Sequence, residues 1–401
     1  MKKIITIVLI ITLSAFSFFT AHSQWTTQTS GTTDDLNSVY FLDANTGYTV
    51  GGTGTISSTI LKTVNGGTNW ITQNGGTTQS LFSVYFTDAN TGYAVGFNGT
   101  ILKTVNGGIN WNAQTFGVPI ELLLSVYFTD ANTGYVVGGN GLILKTSNGG
   151  VVWTTLQPSG TTNHLREVYF TDANTGYAVG DNGLILKTAN AGTFWTAQPS
   201  GTIENLASVY FTDANTGYAV GDNDTIIKTV NGGTSWTTQN SGTTGGLFSI
   251  YFTDSNTGYA SGFGIVLKTV NGGTNWASQN CGPGYGLQSV YFTDADTGYA
   301  VGYNGTIMKT TNGAVGINEQ LSSVPQYQIY PNPANGKFTV NVNSQINLIE
   351  IYNVIGEKIY HLTTEQSINI TVDISDKPNG VYFLNIKTEN QSFSQKIIIQ
   401  K

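Results

Sequence analysis

Short segments of alternating apolar and polar residues, bounded by glycine and asparagine, recur along most of this chain. In SVYFTDANTGYAVG (residues 83–96), one such segment precedes the turn ANTG and a second apolar segment follows it. Alternation with a period of two is typical of half-buried β-strands, and Asn and Gly tolerate the positive φ angles of tight turns. The pattern therefore predicts pairs of antiparallel strands joined by short turns.

The same unit occurs seven times, at intervals of 40 to 45 residues. After each strand pair comes a third apolar segment such as TILKT, then an NGG-type turn and, in most units, a segment W-x-x-Q. Four short strands at this period are typical of a β-propeller blade, so we predict an all-β, seven-bladed β-propeller. The first aspartate of the turn marks the units at Asp43, Asp88, Asp130, Asp172, Asp213, Asp254 and Asp294.

One tryptophan marks the outer strand of each blade, but the set is displaced along the chain. The seventh unit ends as TTNGAVG (residues 310–316) without a tryptophan, whereas Trp25 precedes the first unit. We expect the N-terminal segment to form the outer strand of the last blade, which closes the ring and removes an open sheet edge. We interpret the tryptophans as packing residues of the repeat and not as a sugar platform. They are Trp25, Trp70, Trp111, Trp153, Trp195, Trp236 and Trp276.

The turn before each tryptophan carries a recognisable motif. KTVNGGTNW (residues 62–70) resembles the Asp-box hairpin, Ser/Thr-x-Asp-x-Gly-x-Thr-Trp, with Asn65 in the acidic position. Together with GYAVG and ILKT, the repeats resemble the photosystem II stability and assembly-factor type of propeller over about residues 24–316. The resemblance implies the fold. Because one fold hosts many unrelated functions, it implies no particular activity.

The two ends of the chain differ from the repeats. Residues 1–23 contain two lysines, an apolar run and a small-residue cleavage site before Gln24, which is the pattern of a secretory signal peptide. Residues 317–326 are a polar linker. Residues 327–401 read as alternating strands separated by Pro, Asn and Gly turns, which predicts a small C-terminal β-sandwich.

The C-terminal segment also resembles a known sorting signal. YPNP (residues 330–333), IYN followed by Gly356, and NGVYF before the terminal KIII closely resemble the type A sorting domain of the type IX secretion system. The resemblance implies Bacteroidetes-type export across both membranes, with that secretion machinery as a partner. We therefore predict a protein that is secreted or held on the outer cell surface.

Composition disfavours several function classes. Charged residues make up only 10% of the chain, and the net charge of −7 becomes −9 once Lys2 and Lys3 leave with the signal peptide, which disfavours a nucleic-acid partner. The one cysteine, Cys281, cannot form an intramolecular disulfide. The single arginine, Arg166, excludes both the arginine triad of sialidases and the arginine-rich patch associated with the assembly factors. We expect a monomer.

Other residue patterns favour structural roles. In DANTG, Asp and Asn have the spacing of first and third calcium ligands, but no distant carboxylate follows, so we interpret the motif as a turn. His164 and His361 lie in different domains, and we expect no metal and no other cofactor. Seven lysines also recur, which we interpret as solvated or paired with repeat acids. They are Lys62, Lys103, Lys145, Lys187, Lys228, Lys268 and Lys309.

Function should lie where the units differ from one another. In a four-stranded blade, the loops before the first strand and between the second and third strands share one face, here called the variable face. The ANTG and NGG turns make the opposite face, here called the turn face, nearly uniform. Aromatic groups beside a few charges suit a binding surface, and neutral drift of these loops is the alternative. The predicted ligand-binding residues are Phe82, Phe97, His164, Arg166, Asp181, Asp222, Phe248, Phe263, Tyr285 and Tyr303.

We therefore interpret the chain as a non-catalytic binding or scaffold protein at or beyond the cell surface, with an extracellular glycan or protein as its ligand. The alternative is a glycan-active hydrolase, which needs two carboxylates across a cleft. Nothing in the sequence selects one pair among the acids that depart from the repeat. These acids are Asp34, Asp35, Glu121, Glu167, Asp181, Glu204, Asp222 and Asp224.

Overall fold

The structure, a computed structural model, describes residues 25–114, 122–156, 160–279, 281, 286–314, 327–388 and 392–401. The predicted signal peptide and linker lie outside the described residues. The chain divides into two compact units, Met1–Glu319 and Gln320–Lys401. No helix in the described ranges is long and apolar enough to cross a membrane.

Strands dominate both units. The helical elements in the described ranges are three single-turn 3₁₀ helices at Gly139–Gly141, Asp181–Gly183 and Tyr303–Gly305. The strands of the first unit are β1 (Thr26–Gln28), β2 (Leu36–Phe41), β3 (Gly47–Thr53), β4 (Ser57–Thr63), β5 (Ile71–Thr72), β6 (Leu81–Phe86), β7 (Gly92–Gly96), β8 (Ile101–Thr104), β9 (Asn112–Gln114), β10 (Leu123–Phe128), β11 (Gly134–Gly138), β12 (Ile143–Thr146), β13 (Thr154–Thr155), β14 (Leu165–Phe170), β15 (Gly176–Gly180), β16 (Ile185–Thr188), β17 (Thr196–Gln198), β18 (Leu206–Phe211), β19 (Gly217–Gly221), β20 (Ile226–Thr229), β21 (Thr237–Gln239), β22 (Leu247–Phe252), β23 (Gly258–Gly262), β24 (Ile265–Thr269), β25 (Ala277–Gln279), β26 (Leu287–Phe292), β27 (Thr297–Gly302) and β28 (Thr306–Thr311). Those of the second unit are β29 (Tyr327–Tyr330), β30 (Lys337–Asn353), β31 (Lys358–Asp373), β32 (Gly380–Thr388) and β33 (Ser392–Ile399).

The first unit is a seven-bladed β-propeller, as the repeat predicts. Six blades each consist of four consecutive strands that pair as antiparallel neighbours, beginning with β2-β3-β4-β5. The seventh blade has the order β1-β28-β27-β26, with Thr26 of β1 opposite Lys309 and Gln28 opposite Ile307. The predicted closure of the ring by the N-terminal strand is therefore confirmed.

The aromatic residue at the end of each inner strand joins one blade to the next. In β6, Leu81, Val84 and Phe86 are buried, and the second strand, β7, is buried throughout. A glycine begins β7 because a Cβ at Gly92 would lie 2.5 Å from the ring of Phe86. The Phe86 ring lies against this glycine and stacks on Tyr48 of the preceding blade, with ring centroids 4.0 Å apart.

A polar contact recurs beside this stack. Between the first two blades, the carbonyl of Gly107 accepts hydrogen bonds from the Tyr48 hydroxyl (2.8 Å) and the Lys62 ammonium (2.7 Å). The ammonium also lies 5.4 Å from the centre of the Tyr48 ring, within the range of a cation–π contact. The carbonyl belongs to an NGG hairpin, where a Cβ at Gly108 (φ +85°) would lie 2.9 Å from the Tyr48 ring. The NGG turn is therefore shaped to meet the preceding blade.

The interpretation of the repeat lysines as solvated or acid-paired is wrong. Their ammonium groups bond to backbone carbonyls, because the hairpin of the next blade presents a carbonyl within reach of the lysine side chain. The lysines for which this bond is described are Lys62, Lys103, Lys145, Lys187, Lys228 and Lys309. Lys268 lies over the Tyr259 ring at 5.8 Å in the equivalent place.

The tryptophans lie between blades. Trp111 is buried, its ring meets Phe86 edge-on at a centroid distance of 5.9 Å, and it packs in a cluster that includes residues of the preceding blade. Trp25 meets Phe292 of the last blade in the same way, also at 5.9 Å. Trp195 is half-buried, whereas the other six are buried. These positions support a packing role.

The second unit is one curled sheet with the order β29-β30-β32-β33, in which β31 also pairs with β30. The register between β30 and β31 shifts between Asn341 and Ile346, and the later part of β30 pairs with β32 on its other side. Buried apolar residues on both sides of this shift, such as Phe338 and Ile351, share a single core. The strand pattern predicts a small β-sandwich, and the structure shows an all-β unit formed by one curled sheet.

We expect deletion of residues 24–31 to lower the melting temperature far more than deletion of eight residues from the predicted linker. Loss of β1 leaves β28 at an open edge and removes Trp25 from the core of the last blade. Thermal unfolding of the two shortened chains, followed by circular dichroism, measures the difference. Equal melting temperatures would contradict ring closure by β1.

Candidate ligand-binding site

Around the propeller axis, one hydrogen bond per interface ties each inner strand to the next. The Ser38 hydroxyl oxygen accepts the backbone N–H of Val84 in the following blade at 3.3 Å. The equivalent bond forms at all seven interfaces, so the ring of bonds returns to the first blade. A serine is the acceptor in six blades, whereas in the fourth blade Oε2 of Glu167 accepts the N–H of Val209. We call this set the serine layer.

One layer further from the variable face, each inner strand contributes a tyrosine. Neighbouring tyrosine rings are 5.1 to 5.5 Å apart around the full circle. Burial raises the pKa of these hydroxyls, to about 12 for Tyr127, so they are neutral donors at physiological pH. Tyr85, for example, donates to the carbonyl of Phe128 in the next blade at 3.0 Å. The tyrosines are Tyr40, Tyr85, Tyr127, Tyr169, Tyr210, Tyr251 and Tyr291.

A cavity of about 490 Å³ lies at the variable face and includes the serine layer in its wall. All seven blades contribute the start of their inner strand, and the volume is within the range of small-molecule sites. The position before the serine layer varies between blades and forms the rim of the cavity. Its residues are Asn37, Phe82, Leu124, Arg166, Ala207, Phe248 and Gln288.

The structure brings part of the predicted binding set together. The predicted residues that line the cavity are Phe82, Phe97, Arg166, Phe248 and Tyr303. Phe263 is exposed beside it. Three others do not line it, namely His164, Asp181 and Asp222. Tyr285 lies outside the described residues.

The aromatic residues form two clusters. In the second blade, the rings of Phe82 and Phe97 are 5.2 Å apart. On the sixth and seventh blades, Phe263 lies 4.6 Å from Phe248 and 6.4 Å from Tyr303. All except Phe263 are half-buried, so part of each ring is accessible to a ligand. Aromatic walls with a few polar groups are typical of ligand pockets.

The predicted charged and polar residues are bonded to neighbours. Arg166 Nε lies 2.6 Å from Asp181 Oδ1, with 39% and 20% of the two side chains exposed. An ion pair this exposed contributes little stability, and its main effect is to fix the direction of Arg166 Nε. Asp222 accepts an asparagine side chain of its own blade at 2.9 Å, and a ring nitrogen of His164 accepts a backbone N–H at 3.3 Å. The structure therefore joins Arg166 with Asp181 and leaves His164 and Asp222 apart.

Glu167 lines the cavity but is absent from the predicted binding residues. The sequence carries a signal for it, because the fourth unit reads LREVYF where the other six have serine at this position. Enclosure by the cavity wall raises the pKa of its carboxyl to about 7, although bonds from the Val209 N–H and the Ser208 hydroxyl oppose the rise. Its side chain remains partly accessible from the cavity. Glu167 therefore titrates near neutral pH.

The DANTG turns are held by their own side chains. Asp88 Oδ1 accepts the backbone N–H groups of Asn90 (2.8 Å) and Thr91 (2.9 Å), and the same pair of bonds recurs in the other turns. These bonds, the one from Asn90 foremost, hold the pKa of the Asp88 carboxyl below its ordinary value. Within the described ranges, no group of three or more His, Cys, Asp or Glu residues is placed to hold a metal ion.

The turn face is less uniform than the repeat predicts. The hairpins of the second to fourth blades expose the apolar side chains of Val105, Ile109, Val151 and Phe194. These residues flank the NGG-type turns; valine recurs at the Val105 position in four units, whereas the residues at the Ile109 and Phe194 positions change from blade to blade. The uniformity extends to the turn backbones but not to the side chains beside them.

Comparison with known families identifies both units. Matches to a family described as photosynthesis system II assembly factor YCF48 cover residues 68–159, 114–202 and 200–284, more than half of the chain together. The chain belongs to the YCF48 family. In this YCF48-family protein, residues 328–400 match a secretion system C-terminal sorting domain. That tail indicates type IX secretion to the cell surface or the extracellular space, with the secretion machinery as a partner.

Solved structures share the propeller fold. YCF48 bound to D1 peptide has a TM-score of 0.62 and 19% identity, covering 73% of this chain and 98% of that one. YCF48 from Cyanidioschyzon merolae has a TM-score of 0.61 and 21% identity, covering 71% and 98%. U3-55K has a TM-score of 0.60 and 9% identity, covering 72% and 98%. No curated protein matches the sequence. Identities this low establish the fold alone.

We expect the stability of the wild-type chain to fall relative to Glu167→Ser as the pH rises from about 4.5 to about 7. The folded-state pKa of Glu167, about 7, exceeds the ordinary value of 4.5, so in this window the folded state retains a proton that the unfolded state has lost. The free energy of unfolding therefore falls across this window, by up to about 3 kcal/mol, and stops falling once the folded carboxyl group has ionised. Serine is the matched variant because six blades carry it here. Melting temperatures of both proteins from pH 4 to 8 test this, and a constant difference would contradict the raised pKa.

Proposed function

We propose that this protein is a secreted, non-catalytic binding propeller whose ligand occupies the cavity on the variable face. The observation that carries the proposal is a contrast between two kinds of position. The repeated residues of every blade bond or pack between blades, whereas the residues at the cavity rim differ from blade to blade. Positions without a repeated structural role are available for recognition.

The chemistry of the rim suits a ligand with both apolar and polar groups. Its two aromatic clusters offer contact area at low entropic cost, which is why aromatic residues dominate many binding sites. Arg166, Asp35 and Glu167 add charged groups to the same cavity. We infer that the ligand packs on the aromatic residues and is oriented by these charges.

A polypeptide is the ligand class that we favour. One structural neighbour is YCF48 bound to D1 peptide, and we propose that an extracellular polypeptide is bound here. An array of peptides and glycans probed with the intact secreted chain tests this choice. We expect peptide hits, and hits confined to glycans would contradict it.

A glycan-active hydrolase is the second candidate, because two acids, Asp35 and Glu167, line the same cavity. Such an enzyme uses one carboxyl group with a raised pKa, and the pKa of Glu167 is about 7. Against this role, Asp35 Oδ1 and Glu167 Oε2 each accept a backbone N–H, from Asn304 and Val209. We expect no turnover in a glycan-hydrolysis screen. Turnover that disappears in Glu167→Gln would replace the binding proposal.

We expect Phe97→Ala combined with Tyr303→Ala, or Arg166→Ala alone, to weaken binding of an array peptide by about tenfold, with little change in melting temperature. These side chains line the cavity and are only half-buried, so their loss removes ligand contacts before it removes core packing. Calorimetric affinity, measured beside thermal stability, separates the two effects.

Trp111→Ala is the contrasting variant. It removes a buried ring between blades, which should cost roughly 3 to 5 kcal/mol and impair folding before binding. If the cavity variants bind normally while changes at the ANTG turns abolish binding in a folded protein, the ligand is on the turn face and the proposal is wrong.

We expect a chain that ends at about Pro325 to fold as a propeller and to stay in the periplasm of its native host. Each unit has its own core, and the sorting domain lies beyond this point. Fractionation of cells that express the shortened and intact chains measures export. Normal secretion of the shortened chain would show that the tail is not the sorting signal.

A further inference from the structure

We propose that the cavity receives a primary ammonium group of its ligand, which pairs with the carboxylate of Glu167. This inference rests on the proposed function and adds the chemistry of the ligand, namely a lysine side chain of the bound polypeptide. Three features support it. Glu167 brings a carboxylate to a position where a serine would make the same structural bond, no described cation pairs with that carboxylate, and aromatic residues line the cavity.

The structural role of Glu167 in the serine layer does not require a carboxyl group. Its Oε2 accepts the Val209 N–H, which is the bond that a serine hydroxyl makes in the other six blades. Its other hydrogen-bond partner is the Ser208 hydroxyl. Both partners are uncharged, so the bonds that position Glu167 supply no countercharge. A serine would complete the ring without bringing a carboxylate into the cavity.

No protein cation in the described ranges forms an ion pair with Glu167. Its strand neighbour Arg166 directs Nε to Asp181. The repeat lysines with described bonds donate to hairpin carbonyls between blades. The second acid of the cavity wall, Asp35, adds further negative charge. An enclosed carboxylate without a countercharge is destabilised, and the pKa of Glu167, raised to about 7, is consistent with that cost.

A lysine side chain also suits the remaining walls. Phe82 and Phe97 line one part of the cavity, and Phe248 and Tyr303 line another. Aliphatic stems pack on aromatic rings, and the ring faces attract an ammonium group electrostatically. An anionic ligand would instead meet Glu167 as a like charge.

Binding should strengthen as Glu167 ionises. The other charged or titratable groups around it are Arg166 and Tyr169 on its own strand, Tyr127 and Tyr210 on the neighbouring inner strands, and Asp35 on the cavity wall. Burial raises the pKa of these tyrosines, so their hydroxyls stay neutral to about pH 8. We therefore expect affinity for an ammonium probe to rise between about pH 5.5 and pH 8, and this rise to be absent in Glu167→Ser.

The test uses the intact secreted chain and small probes of defined charge. Nα-acetyl-lysine methylamide is compared with its norleucine analogue, which has the same stem without the charge, and with its glutamate analogue. Glucosamine distinguishes a carbohydrate amine from a lysine. NMR titration at pH 7.5 gives the affinities, and we expect the lysine probe to bind at least about tenfold more tightly than the norleucine probe.

Two variants make the measurement specific. Glu167→Ser restores the residue of the other six blades and keeps an acceptor for the Val209 N–H, so we expect it to fold and to lose the lysine preference. Glu204→Gln removes the same charge from the variable face outside the cavity, where Glu204 accepts the Asn223 amide at 2.7 Å. This control should keep the preference.

Equal affinities for the lysine and norleucine probes, or an unchanged preference in Glu167→Ser, would overturn the inference. If array peptides still bind and depend on Phe97 and Tyr303, the proposed function stands without it. Tighter binding of glucosamine than of the lysine probe would overturn the assignment to lysine. Absence of binding by every probe and every array peptide would overturn both proposals.

Discussion

Neighbouring blades are joined by hydrogen bonds to the carbonyl at each NGG-type hairpin. Where the ring closes between the seventh and first blades, Gly66 accepts the Tyr299 hydroxyl at 2.8 Å and the Lys309 ammonium at 2.6 Å. A hydrogen bond from a charged donor to a buried carbonyl is stronger than one from a neutral donor, and here the Lys309 ammonium also lies 5.4 Å from the centre of the Tyr299 ring. Because each contact joins neighbouring blades, a change at one interface alters the fit of the whole circle.

This constraint explains why the chain repeats its sequence so closely and where it can vary. The hairpin glycines, the tyrosine and the lysine all serve the interface, while the serine layer and the inner tyrosines tie the strands around the axis. The residues just before the serine layer have no such recurring partner, so they are able to differ. Glu167 is the one exception within the serine layer, because it keeps the structural bond and adds a charge.

Most of the fold could be predicted from the sequence because alternation, turn residues and the repeat length together favour one architecture, and the displaced Trp25 indicates ring closure. The lysine partners could not, since each acceptor lies in the next blade, 45 residues further along for Lys62. At the candidate site, departures from the repeat selected Phe82 and Tyr303, which line the cavity, but loop sequence does not reveal which side chains turn inward, as His164 shows. The sequence shows Glu167 as a departure from the repeat, but only the structure shows that its carboxyl group replaces a serine hydroxyl in the wall of the cavity.

Hydrogen exchange of the intact chain, with and without its tightest-binding array peptide, tests most directly whether the repeated residues are structural and the cavity rim is functional. We predict that binding adds protection at the starts of the inner strands that line the cavity, around residues 80–84, 164–168 and 246–250, while the ANTG turns and NGG hairpins exchange as before. Added protection confined to those turns and hairpins, with no change around the cavity, would contradict this division of the molecule.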